Sequence, residues 1–148
     1  MSSKLPNIVL ITAHDIGRHI GCYGVSEVDT PSLDEFAAEG VRFTNFYSTA
    51  PQCSPSRASF ATGRYPHSTG VLGICSSSFG FDLNRDEIHL ATILTNTGYE
   101  TRGIGEVHES LEPRRLFNSY SSEIRPDHVV EEAASAIREV TGSARPLY

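Results

Sequence analysis

The segment Cys53-Ser54-Pro55-Ser56-Arg57 concentrates more potential chemistry than any other stretch of the chain. Proline is tolerated in a helix only in the first turn, so Pro55 predicts a helix that begins near residue 53, runs to about 62 and stops at Gly63. Cys53 then stands at the positive end of a helix, where backbone N–H groups and the dipole favour an anion. Arg57, four residues on, returns to the same face and can donate to the same oxygens. Read without these neighbours, a single cysteine is more often a small buried packing residue. Two other places offer chemistry. His14 and Asp15 follow the apolar run of residues 8–11, and a carboxylate at the carboxyl end of a first strand points where α/β sheets bind ligands. Its oxygens suit Ca²⁺ or Mg²⁺, although the same pair serves as a turn or helix cap. His108 follows a second apolar stretch, and a lone histidine there reads as a surface residue as well as a functional one.

The elements that must position these residues can be read from periodicity. Residues 7–12 (NIVLIT) predict a short buried strand delivering His14 and Asp15. Thr30 and Pro31 form a helix start, with Leu33, Phe36 and Ala37 on one face and Gly40 as the stop. Residues 41–47 are β-branched and aromatic and predict a second strand, with a loop over 48–52 before the Cys53 helix. Glycine and serine predict loop over 63–83, including the short Ser76–Ser78 run. Asp86 is expected to cap a helix carrying Ile88, Ala91, Ile93 and Leu94, which Gly98 ends. A strand over 99–104 ends at Gly105, residues 109–126 look irregular, and Asp127 is expected to cap a last helix. That helix has a stripe of Val130, Ala133, Ile137 and Val140 and a stop at Gly142, after which residues 145–148 read as the approach to another strand. Alternating strands and helices indicate an α/β fold with a largely parallel sheet.

Whole-chain properties exclude several functions. The 148 residues fit one domain or part of a larger one, and 39% hydrophobic with 20% charged residues rules out disorder as a whole. A net charge of −6 without a lysine or arginine cluster argues against nucleic acid or anionic membrane as partners. No apolar run approaches the roughly 18 residues of a membrane span, and residues 1–6 open no signal peptide, so a cytoplasmic location is expected. Cys22, Cys53 and Cys75 form no CxxC pair and suggest neither a disulfide framework nor a zinc knuckle. Cys22 and Cys75 are expected to pack, Arg18 and His19 to face solvent, and His67 to lie outside the site.

The run from Cys53 through Arg64 resembles the signature C-x-P-S-R-x-x-x-x-x-G-R of the sulfatases of the alkaline-phosphatase superfamily. NIVLITAHDIG is similar to that family's opening strand and metal segment, DTPSLDEFAAEGVRFTNFYS to its first helix and second strand, and GYETRGIGEVH to the strand leading into its G-K-x-H segment. The resemblance implies an alkaline-phosphatase-like α/β fold, a largely parallel sheet flanked by helices. It also implies that a maturation enzyme oxidises Cys53 to formylglycine. A hydrated aldehyde offers two hydroxyls, one to attack sulfur and one to collapse and expel sulfate, which a sulfated serine could not do. By the same resemblance Cys53, Arg57 and His108 are catalytic, and Asp15, His14 and Cys53 hold Ca²⁺ or Mg²⁺. A sulfated small molecule or sugar is the expected substrate, and a formylglycine-generating or sulfatase-maturating enzyme the expected partner.

Two departures from the family pattern matter. His14 replaces one of two adjacent acidic residues, and Glu106 stands where the family carries a sulfate-binding lysine, a role a carboxylate cannot inherit. HDIGRHIGCYG with G-x-x-H-E is similar to a heparan N-sulfatase-like branch. No segment between residues 64 and 148 resembles the family's second Asp/Asn metal segment or its further His and Lys. Residues 1–148 are therefore expected to be the N-terminal portion of a sulfatase catalytic domain, the remainder missing and the fragment inactive alone. Phosphonate monoester hydrolases and phosphodiesterases of the superfamily share the C-x-P-S-R nucleophile and give an alternative reading, and a truncated non-catalytic protein gives a third.

Overall fold

The computed structural model describes residues 5–140 and 143–148. It divides into two compact units, residues 12–48 and the remainder.

The smaller unit is built on α1 (Pro31–Glu39), which begins with proline at its first position as the sequence suggests. Thr30 does not cap free N–H groups. Its hydroxyl accepts from the Gly21 N–H at 2.9 Å and donates to Asp34 Oδ1 at 3.2 Å, tying the preceding 3₁₀ turn (Gly21–Tyr23) to the helix. Arg18 and Arg42 place their guanidinium groups 5.6 and 5.9 Å from the Tyr23 ring, and Arg42 also donates to the Cys22 carbonyl. The expected strand over 41–47 does not form. Val41, Phe43, Phe46 and Tyr47 are exposed, because β-propensity expresses itself only against a paired neighbour, and the described residues supply none.

In the larger unit α2 (Cys53–Thr62) lies where proline and glycine punctuation places it, and Gly63 ends it at φ +70°, with its N–H on the Ser59 carbonyl. Ser54, Pro55, Arg57, Ala58, Ser59 and Ala61 are buried, so the helix is set into the unit along most of its length. α3 (Pro66–Thr69) is a single turn inside the predicted loop. α4 (Leu90–Asn96) starts later than expected. Its cap is His89, whose Nδ1 accepts the Ala91 N–H at 3.1 Å, and not Asp86.

β1 (Arg102–Ile104) pairs in parallel with β2 (Ser119–Ser121), Gly103 facing Tyr120 in register. On its other side, Glu100 N–H donates to the Pro146 carbonyl, Tyr148 N–H to Glu100 and Arg102 N–H to Tyr148, each at 2.7–2.8 Å. Residues 146–148 are thus the strand-like element that residues 145–148 foreshadow, and the Ile8 N–H donates onward to the Leu147 carbonyl. Beyond that contact the predicted strand over 7–12 is absent: Val9 and Leu10 are exposed, and the segment has no ladder. Gly103 is required by packing, since a Cβ there would lie 2.9 Å from the Phe117 ring.

α5 (Pro126–Val140) carries the expected stripe, but only Ala136 and Val140 are buried, while Val130 and Ile137 are open to solvent. Asp127 sits within its first turn, and Gly142 lies outside the described residues. The core joins Ala58 of α2 to Val71, Cys75, Leu83 and Leu116, with Val107 and Phe117 packed against it. No helix among the described residues is long and apolar enough to cross a membrane.

Candidate active site

Cys53 is the first residue of α2 and is partly exposed, whereas Ser54 beside it is fully buried. The reason is local. Ser54 Oγ accepts the Cys75 N–H at 2.9 Å, so the loop after α3 is fastened to the start of α2 and turns Ser54 inward. Cys53 opens this ten-residue helix, whose first backbone N–H groups have no intrahelical partner. Arg57, one turn along, is 8% exposed, and its guanidinium donates to the Glu106 carbonyl at 3.4 Å. This contact carries α2 to the segment that follows β1. There Glu106 Oε1 approaches His108 Nδ1 at 3.7 Å, with the histidine side chain the more buried of the two.

The segment 105–109 is held from several sides. Gly105 N–H donates to the Ser121 carbonyl at 3.0 Å, and Tyr120 Oη donates to the Gly105 carbonyl at 3.2 Å. Burial, chiefly, pushes the Tyr120 hydroxyl above its usual range, and nearby Glu109 adds to this. That phenol therefore keeps its proton and remains a donor throughout the physiological range. Beyond His108, Glu109 pairs with His89, and the Leu111 N–H donates to Asp82 Oδ1 at 2.9 Å.

The structure thus places Cys53 and Arg57 on one helix and brings His108 to the loop that Arg57 holds. His14 and Asp15 belong to the smaller unit, where His14 Nε2 lies 3.6 Å from Asp15 Oδ2. Asp15 is the only non-glycine among the described residues at positive φ, +56°, and its carboxylate is exposed. A left-handed backbone at a non-glycine residue is maintained at a cost and is common at ligand sites. An open, hard carboxylate fits an oxygen-preferring divalent cation. Of the pair, Asp15 alone offers oxygen, at most two of the six to eight oxygens that Ca²⁺ takes, while His14 offers a nitrogen.

Other sequence candidates take structural positions. Arg64, the last residue of the signature, forms an ion pair at 3.0 Å with the buried Glu87 and ties the end of α2 to the approach to α4. His67 stacks on Tyr65 at 6.0 Å, past the C-terminal end of α2. The His89–Glu109 pair escapes the sequence reading altogether. A histidine just before an apolar helical stripe is the one local signal for it, and nothing in the sequence links it to Glu109.

Residues 6–128 match the sulfatase family profile. Human steryl-sulfatase is 43% identical over 116 residues, which cover 72% of this chain and 20% of that protein. Human arylsulfatase A is 42% identical over 117 residues, covering 78% and 23%. The N-acetylgalactosamine-6-O-sulfatase of Bacteroides thetaiotaomicron is 36% identical over 114 residues, covering 76% and 22%. The chain belongs to the sulfatase family and shares its alkaline-phosphatase-like α/β fold class. It spans about a fifth of the length of these relatives.

Proposed function

We propose that this chain is the N-terminal portion of the catalytic domain of a formylglycine-dependent sulfatase that hydrolyses a sulfate ester or sulfamate on a small molecule or sugar. The observation that carries the reading is the start of α2, with Cys53 partly exposed at its first position and the buried Arg57 guanidinium one turn further on. Converted to formylglycine by a sulfatase-maturating enzyme, residue 53 would supply a hydrated aldehyde as nucleophile towards sulfur. A Ca²⁺ or Mg²⁺ ion, with Asp15 and His14 as donors, would supply Lewis acidity towards the sulfuryl oxygens.

The remaining work in this reading falls to Arg57, the N–H groups opening α2, and His108. Arg57 binds the non-bridging oxygens of the sulfuryl group, and its fixed guanidinium needs no reorganisation as charge shifts in the transition state. The N–H groups opening α2 add positive potential at the same point. His108 holds a proton towards an oxygen of the reacting group, its loop tethered through Glu106, Gly105 and Glu109. Glu106 contributes its carbonyl to Arg57, and its carboxylate lies beside His108.

Turnover of 4-nitrophenyl sulfate by the full-length, matured protein tests the reading. Cys53→Ala is expected to reduce kcat by at least about a thousandfold, since the nucleophile is gone. Turnover that survives the substitution contradicts it.

A further inference from the structure

We propose that His89 and Glu109 are positioning residues that fix His108, joined by a buried hydrogen bond whose direction the cap of α4 dictates. The proposal rests on the reading of His108 as a group acting on the substrate. Both side chains are deeply buried, His89 at 3% and Glu109 at 5% exposure, and His89 Nε2 lies 3.2 Å from Glu109 Oε1.

The direction of that bond follows from a backbone group. The Ala91 N–H can only donate, and it points at His89 Nδ1 at 3.1 Å, so Nδ1 is the acceptor. The ring proton of the neutral imidazole is then on Nε2 and is donated to the Glu109 carboxylate. The Phe117 ring meets the imidazole edge-on at 5.5 Å. One histidine thereby caps a helix with one nitrogen and orients a carboxylate with the other.

Stability alone is a poor account of such a pair. Removing two ionisable groups from water costs about as much as their attraction returns, and apolar residues of the same volume commonly serve as well. What the pair provides is position. Glu109 directly follows His108, and the anchors before that histidine, at Gly105 and Glu106, come from β2 and α2. The His89 contact is the anchor immediately after it and comes from the cap of α4. Without it the residue directly after His108 loses its tie to the cap of α4.

The test uses the full-length, matured protein. His89→Asn keeps an acceptor for the Ala91 N–H but loses the link, and Glu109→Leu removes the buried carboxylate. The double variant H89N/E109L keeps the cap and leaves no unpaired buried charge, so its thermal midpoint should stay near that of the parent. Its kcat on 4-nitrophenyl sulfate should nevertheless fall ~30- to 100-fold with KM within ~3-fold, the signature of a misplaced group. Glu109→Gln retains an oxygen acceptor and should hold kcat within ~5-fold.

A double variant with parental kcat, or Glu109→Gln as impaired as Glu109→Leu, overturns the proposal. Should the leucine variants not fold, His89→Asn and Glu109→Gln decide: the first is to lose kcat and the second to keep it, and the reverse overturns the proposal. Should the parent hydrolyse no sulfate ester, the proposed activity fails by itself. Ring NMR signals of His108 then decide the positioning claim, sharp in the parent and exchange-broadened in H89N/E109L if it holds, identical in both if it does not.

Discussion

Three cysteines of one chain meet three environments, and the environment assigns each its chemistry. Cys75 is buried against Val71 and Leu83, and burial first, then the adjacent Asp82, pushes its thiol up to about 11. It stays protonated and unreactive at neutral pH, the packing role its residue type suggests. Cys22 lies in the smaller unit with its carbonyl taken by Arg42, and Cys53 opens a helix with a buried arginine on the next turn. Asp15 carries the corresponding prediction for the metal. In the full-length protein Asp15→Ala should weaken Ca²⁺ binding by at least about tenfold, because an imidazole alone cannot replace a hard oxygen donor. Isothermal calorimetry on apo protein measures this, and an unchanged affinity would remove Asp15 from the ligand set.

At the scale of elements, the connection from β2 to α5 makes a prediction of its own. Glu123 accepts from the backbone N–H groups of Ile124 and Arg125 and from the Arg125 guanidinium, which draws its carboxyl from 4.5 down to about 2. A depressed carboxyl contributes stability that is fully present above its unfolded value and is lost as pH falls through the folded one. The junction should therefore hold at pH 5 and loosen between about pH 4 and pH 2. An NMR titration of the Glu123 side chain should show a midpoint near 2, and one near 4.5 would mean that the contacts do not form in solution. Which elements can be read in advance follows the same physics. α2 was legible because Pro55 and Gly63 bracket it chemically, and Arg57 came with it. β2 was not, because Ser119, Tyr120 and Ser121 carry no apolar alternation, and their pairing depends on β1 seventeen residues earlier. The cap of α4 differs from the expected Asp86 because aspartate is the commoner cap, whereas His89, which accepts the Ala91 N–H, is also held through its other nitrogen by Glu109, twenty residues away. Residues 7–12 and 41–47 have strand composition but form no strand among the described residues, and composition cannot report whether a full ladder is present.

At the scale of the molecule, both units leave apolar side chains in water. Ile11, Val41, Phe46 and Tyr47 are each more than four-fifths exposed, and Val9, Leu10 and Phe36 are largely so. Exposed apolar side chains in this number favour association. Residues 1–148 expressed by themselves should elute from size-exclusion chromatography as oligomers or aggregate at micromolar concentration. A monodisperse monomer would show that this surface is covered in a way the fold described here does not contain. The central claim, that Cys53 is the precursor of the nucleophile, has a more direct test. Mass spectrometry of the α2 peptide is to be run on full-length protein produced together with a sulfatase-maturating enzyme. The account predicts a peptide lighter by about 18 Da at residue 53, the change from thiol to aldehyde. An unmodified thiol at Cys53 under those conditions would contradict it.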